Sequence, residues 1–134
     1  MIRDGERRRA SQIALILAVI IAVPLVAYAG PGHAETWNFT VGPVTCQFKG
    51  EHKQVNNRAR GTTFDNNSNC SDLKVRTRAY FEDGIWESFW NQGSGNSVYT
   101  QGPVGSTALA SQHQAENGWL GTWSAVQDAV HAWS

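Results

Sequence analysis

The fold class this chain predicts is mainly β: a small antiparallel β-sandwich or barrel, closed by one disulfide and ending in a short amphipathic helix. Three observations predict it. Apolar and polar residues alternate with period two through the middle of the chain, as they do in half-buried strands. Short runs of Gly, Asn, Asp and Ser separate those stretches, which is turn chemistry. The two cysteines, Cys46 and Cys70, follow an export leader and so fall where thiols oxidise to a disulfide.

The leader is the first element. Residues 1–12 carry Arg3, Arg7, Arg8 and Arg9. Residues 13–29, IALILAVIIAVPLVAYA, are seventeen in number and apolar throughout, and the small-residue stretch GPGHA follows. Basic region, apolar region and small-residue exit make a secretory signal of bacterial character over residues 1–34. Cleavage is expected after Ala34, with Ala29 the other fitting position, to leave a single exported domain over residues 35–134. The rival is a retained anchor, but the apolar run is at the short limit for a membrane span and Pro24 interrupts it. Arg8-Arg9 invites a twin-arginine reading that Ala10-Ser11-Gln12 continues poorly. Roughly a hundred residues remain, enough for one domain with a modest core.

The strands follow in order. In WNFTV, Trp37, Phe39 and Val41 share a face, and in VTCQFK so do Val44, Cys46 and Phe48. The stretch VNNRARGTTFDNNSNCSD reads as a long polar connection with one edge strand at residues 60–64. LKVRTRAYF puts Leu73, Val75, Thr77, Ala79 and Phe81 inward and Lys74, Arg76, Arg78 and Tyr80 outward. EDG and NQGSGN are turn signals around a strand GIWESFW. SVYTQ and STALASQHQA supply two more strands. The closing stretch GWLGTWSAVQDAVHAWS changes rhythm: Trp119, Trp123, Val126, Val130 and Trp133 recur every three or four residues, one face of a helix that Ser124 would cap. The same stretch also alternates from Trp123 to Trp133, which is the competing strand reading. Its indoles are expected to pack on the sheet, joining Phe39, Phe48, Phe64, Phe81 and Phe89 in the interior. The alternative is that they face sugar rings, a lipid interface or a second copy.

Catalytic chemistry is not expected. Ser111 and His113 lie two residues apart with Glu116 near, but no G-x-S-x-G frame surrounds them. His52, His113 and His131 read as surface histidines, without the spacing of a metal site. Glu82, Asp83 and Glu87 read as a solvated acidic turn. No phosphate loop or dinucleotide fingerprint is present, so neither cofactor nor metal is expected, and the protein is not expected to be an enzyme.

Charge is more informative. The whole chain is neutral, yet every Lys and Arg beyond the leader lies between Lys49 and Arg78. From Ala79 onward the only charged side chains are acidic: Glu82, Asp83, Glu87, Glu116 and Asp128. Both halves can simply be solvated and partly neutralise each other. The sharper expectation starts from Lys74, Arg76 and Arg78, which project from one strand face at roughly 7 Å intervals and suit a polyanion. Trp86 and Trp90, placed on one strand face roughly 13 Å apart, would each stack under a ring of an extended chain. The expected function is therefore a small secreted, non-enzymatic binding protein at the cell envelope. Its partner would be an anionic wall polymer, lipid headgroup or glycan rather than nucleic acid, with transient membrane contact.

An export signal running straight into ETW and a short Trp-rich β domain is a layout similar to that of small secreted bacteriocins of the lactococcin 972 type. The likeness is one of layout, and the cysteines and the acidic C-terminal half depart from it. It implies the alternative function, a secreted antibacterial toxin.

Intact mass of the secreted protein is expected to show a start near Glu35 and a mass two hydrogens below that of the reduced chain. Full-length protein retained in the membrane, or free thiols, would contradict this.

Overall fold

A computed structural model of the chain describes residues 32–129. The leader, and Val130, His131 and Trp133 of the expected helix, lie outside the described residues.

Among the described residues, period-two alternation becomes ten strands: β1 (His33–Val41), β2 (Val44–Val55), β3 (Arg58–Asp65), β4 (Cys70–Phe81), β5 (Gly84–Glu87), β6 (Asn91–Gly93), β7 (Ser97–Val104), β8 (Thr107–Asn117), β9 (Thr122–Trp123) and β10 (Gln127–Asp128). They form two antiparallel sheets. Sheet A has the order β1-β2-β3-β7; sheet B has β10-β8-β4-β5, with β6 also pairing β4 and β9 pairing β8. Two-residue turns set the registers. Asn56-Asn57 joins the Val55–Arg58 pair, and Glu82-Asp83 joins Phe81 to Gly84. All four have positive φ, between 49° and 62°, the backbone of a type I′ hairpin turn, whose twist matches that of the strands it joins.

Three expectations about the course of the strands need correction. Residues 60–64 do not form an edge strand: β3 lies between β2 and β7, and the polar Asn, Asp and Ser of its flanking turns disguised a central strand. GIWESFW is a strand only as far as Glu87. No helix forms among the described residues of the C-terminal stretch, which turns at Gly118 and then adds β9 and β10 to β8. There the strand alternation won over the helical spacing, because β8 offers an open edge for backbone pairing.

The sheets meet face to face, β2 and β3 against β8, and β3 and β7 against β4. At one end the interior is apolar: Cys46, Phe48, Leu73, Val75, Val98 and Ala115 are buried together, with Trp37 and Phe39 against them. The disulfide Cys46–Cys70, with Cα atoms 4.9 Å apart, joins β2 to β4 across this end and stabilises the fold by roughly 3 kcal/mol on the chain-entropy model. Phe64 and Phe89 do not join this interior. Phe64 lies under the Lys49 ammonium, and Phe89 is 96% exposed.

The other part of the interior is polar and is built around His113, which is fully buried rather than on the surface, as is nearly all of His52. The Thr63 hydroxyl donates to the Lys74 carbonyl at 2.8 Å, so it must accept from His113 Nδ1–H at 2.7 Å. That tautomer leaves His113 Nε2 as an acceptor for the Ser111 hydroxyl at 2.6 Å. Ser111 in turn accepts from His52 Nδ1–H at 3.2 Å. One directed chain of hydrogen bonds thus runs from β2 through β8 to β3 and ends on β4. Glycines of sheet A make room for it. A Cβ on Gly50 would overlap the His113 ring, and one on Gly61 would overlap Thr77 Oγ1.

Burial, reinforced by the facing His52, holds the His113 ring neutral and lowers its pKa to about 3 from 6.5. The unfolded chain therefore binds the proton first as pH falls. Stability from this group is complete above pH about 6.5 and is lost between there and pH about 3, with about 3 kcal/mol gone at pH 4. Denaturant unfolding at pH 7 and pH 4 measures that loss. The His113 ring resonances should stay those of a neutral imidazole below pH 5, and titration near 6.5 would contradict the arrangement.

Candidate functional site: the outer face of sheet B

Residues of β4 alternate as expected. Leu73, Val75, Thr77 and Ala79 are buried, and Lys74, Arg76 and Arg78 occupy the other face, half-buried. Each cation of the row already has company. Arg78 Nη2 pairs with Glu87 Oε1 at 3.0 Å, directly across from it on β5. Arg76 Nε donates to Gln112 Oε1 at 2.6 Å, and Gln112 Nε2 donates to Asp128 Oδ1 at 2.8 Å. The Arg76 guanidinium also lies 4.9 Å from the centre of the Trp90 ring, and the Lys74 ammonium 4.2 Å from that of Trp123. Two consecutive outward positions of β4 therefore each present a cation against an indole, a contact worth roughly 0.5–1 kcal/mol where exposed.

Trp86 and Trp90 do not share a face. Trp86 stands opposite Ala79 in the β4–β5 pairing, on its inner side, where its ring lies 3.5 Å from the position a Gly102 Cβ would take. Trp90 lies beyond β5, 36% exposed, on the outer side with Arg76. A β-bulge separates them. Glu87 pairs with Arg78 and Asn91 with Val75, so the three residues 88–90 span only two on β4. The extra residue reverses the parity that sequence spacing assumes. Ser88 anchors the bulge: its N–H donates to the Thr77 carbonyl and its hydroxyl accepts from Thr77 N–H, both at 2.9 Å. Phe89, next in the chain, is left projecting.

The Lys74–Trp123 pair was hidden by the helical reading of the C-terminal stretch. Its signal was the competing alternation beginning at Trp123. Arg60 over Tyr99, 4.4 Å from the ring centre, repeats the cation–aromatic arrangement on sheet A. Asn91, adjoining Trp90, donates from Nδ2 to the Tyr99 carbonyl at 2.8 Å, so the two arrangements flank one seam between the sheets.

The Ser111–His113 pair is a real hydrogen bond, but its surroundings differ from a catalytic set. Ser111 is fully buried. The second ring nitrogen of His113 faces Thr63 rather than a carboxylate, and Glu116 turns outward to accept from the Ser71 hydroxyl. Among the described residues no group of three His, Cys, Asp or Glu side chains is placed to hold a metal ion.

The inward and outward indoles should separate in a stability measurement. Trp86→Ala is expected to cost about 3 kcal/mol, whereas Trp90→Ala should cost about 1 kcal/mol or less. Thermal unfolding of the two variants checks the order, and equal losses would contradict the bulge geometry.

No protein-family model matches the chain, and no curated protein or solved structure matches it. Geometry alone therefore carries the functional reading.

Proposed function

We propose that this is an exported, non-enzymatic binding module of the cell envelope that holds an anionic wall polymer or glycan along the outer face of β4. The carrying observation is the succession of Lys74 against Trp123 and Arg76 against Trp90 on consecutive outward positions. Ammonium and guanidinium groups bind phosphate or carboxylate through charge-assisted hydrogen bonds. An indole beside each offers a flat apolar surface for the adjoining ring of the polymer. Arg78 extends the row, its carboxylate partner on a neighbouring strand. Exposed ion pairs are worth roughly 0–1 kcal/mol, so a ligand carboxylate or phosphate displaces Glu87 at little expense.

Retention of the exported domain on cell-wall preparations and on an anionic polysaccharide resin tests this reading. Binding is expected to weaken roughly tenfold or more between low and high salt, because exposed charges are screened. The triple variant K74E/R76E/R78E should lose retention while keeping its circular dichroism. Since Arg76 is also part of the packing, the double variant W90A/W123A serves as the second probe and should weaken binding without loss of fold. Unchanged retention in both variants rejects the reading. Growth inhibition of related bacteria by the purified protein would instead favour the toxin class.

A further inference from the structure

We infer that the groove beside the Cys46–Cys70 disulfide is a subsite for one neutral pyranose ring, with the Trp119 indole as its stacking wall. This deepens the reading of the β4 face and rests on it for the class of ligand. The groove has a volume of about 320 Å³ and is lined by Val44, Ser68, Asn69, Cys70, Ser71 and Trp119. That volume lies at the lower end of small-molecule sites, roughly 300–1,000 Å³.

Trp119 is 52% exposed and yet firmly held. Its backbone N–H donates to Asn117 Oδ1 at 2.8 Å. Asn117 is fully buried and donates from Nδ2 to the carbonyls of Phe39 and Val44, at 2.9 and 3.0 Å. Beneath the indole lies Gly42, at φ 57°, where a Cβ would come within 2.9 Å of Trp119 Nε1. The Gly118 N–H donates to the Asn69 carbonyl at 2.9 Å and so joins the two walls. An indole fixed in place and left half in water is preorganised for a flat partner and loses little entropy on meeting one.

Charge and polarity select among flat partners. Along the rim, the Ser71 hydroxyl donates its proton to Glu116 Oε1, which leaves its oxygen to act as an acceptor. Ser68, Asn69 and Ser71 together offer oxygen acceptors to a ligand rich in hydroxyl donors. The carboxylate of Glu116 stands beside them, so a phosphate or uronate is repelled here and a neutral ring is preferred. A pyranose supplies both halves of the match, an apolar C–H face for the indole and hydroxyls at its edge. Cys70 and Ser71 open β4, and Ser71 lies three residues before Lys74, roughly 10 Å along the strand. A polymer lying on the Lys74–Arg78 row therefore reaches the groove with its next ring, neutral where the row takes the charged ones.

Titration of the ¹⁵N-labelled domain with two neutral probes, triacetylchitotriose and maltotriose, tests the inference. Shifts are expected at the Trp119 indole N–H and the amides of Asn69 and Ser71 with at least one probe at millimolar concentration. Trp119→Ala should weaken that binding about tenfold or more, with amides distant from the groove unmoved. Trp119→Phe, which keeps an aromatic wall, should retain most of it. K74E/R76E/R78E should leave neutral-sugar binding intact while losing the anionic polymer. Absence of shifts with both probes, or shifts that persist unchanged in Trp119→Ala, overturns the subsite. If the neutral probes fail while the anionic polymer still binds, the subsite falls and the β4 reading stands; the opposite pattern separates them the other way.

Discussion

A backbone carbonyl, that of Lys74, sets the direction of the buried hydrogen-bond chain that runs from Thr63 through His113 and Ser111 to His52. It can only accept, so Thr63 must donate to it, and that fixes the His113 tautomer and makes Ser111 a donor. Each link is buried and each has its partner, which is the condition under which a polar interior stabilises rather than weakens a fold. The strand that supplies this carbonyl also carries the cations of the outer face. Shifting β4 by one residue would turn Lys74 inward and strip Thr63 of its acceptor at once. Packing inside and charge outside are thus held to one register.

The division of the interior follows from how few large apolar side chains face inward. Phe48, Leu73 and Val75 are the largest fully buried apolar residues, and they fill only the end bridged by the disulfide. Elsewhere Thr63, Thr77, Thr100, Ser106, Ser111 and His113 occupy core positions, and the sheets close on one another through glycines instead of bulky contacts. Asn117 does for the disulfide end what His113 does for the other, linking the end of β8 to carbonyls of sheet A.

Strand order along the chain and the faces of β4 were legible because alternation there is uninterrupted. The disulfide was legible because two cysteines leave only one intramolecular pairing. The interior was not, since Ser111 and His113 look the same in sequence whether they face solvent or each other; only the close approach of Gly50 and Gly61 distinguishes the cases, and those glycines lie some fifty residues away in the chain. Trp86 and Trp90 misled for a local reason. Their spacing of four implies a shared face in an unbroken strand, and one inserted residue undoes it. At the C-terminus, Trp119, Trp123 and Val126 fit a helical stripe as well as any amphipathic helix does, but a pairing edge on β8 was available and claimed the backbone first.

The bulge at residues 88–90 also governs how this domain meets its own kind. It divides the β4 side of sheet B into the short segments β5 and β6, and the opposite border consists of the two-residue strands β9 and β10. Among the described residues, neither border offers a long straight row of unpaired amides and carbonyls on which a neighbouring chain could template a strand. A projecting Phe89 adds a steric obstacle where such a strand would begin. Edge-to-edge pairing of copies along these borders of sheet B is therefore disfavoured by shape, without charge repulsion to keep copies apart.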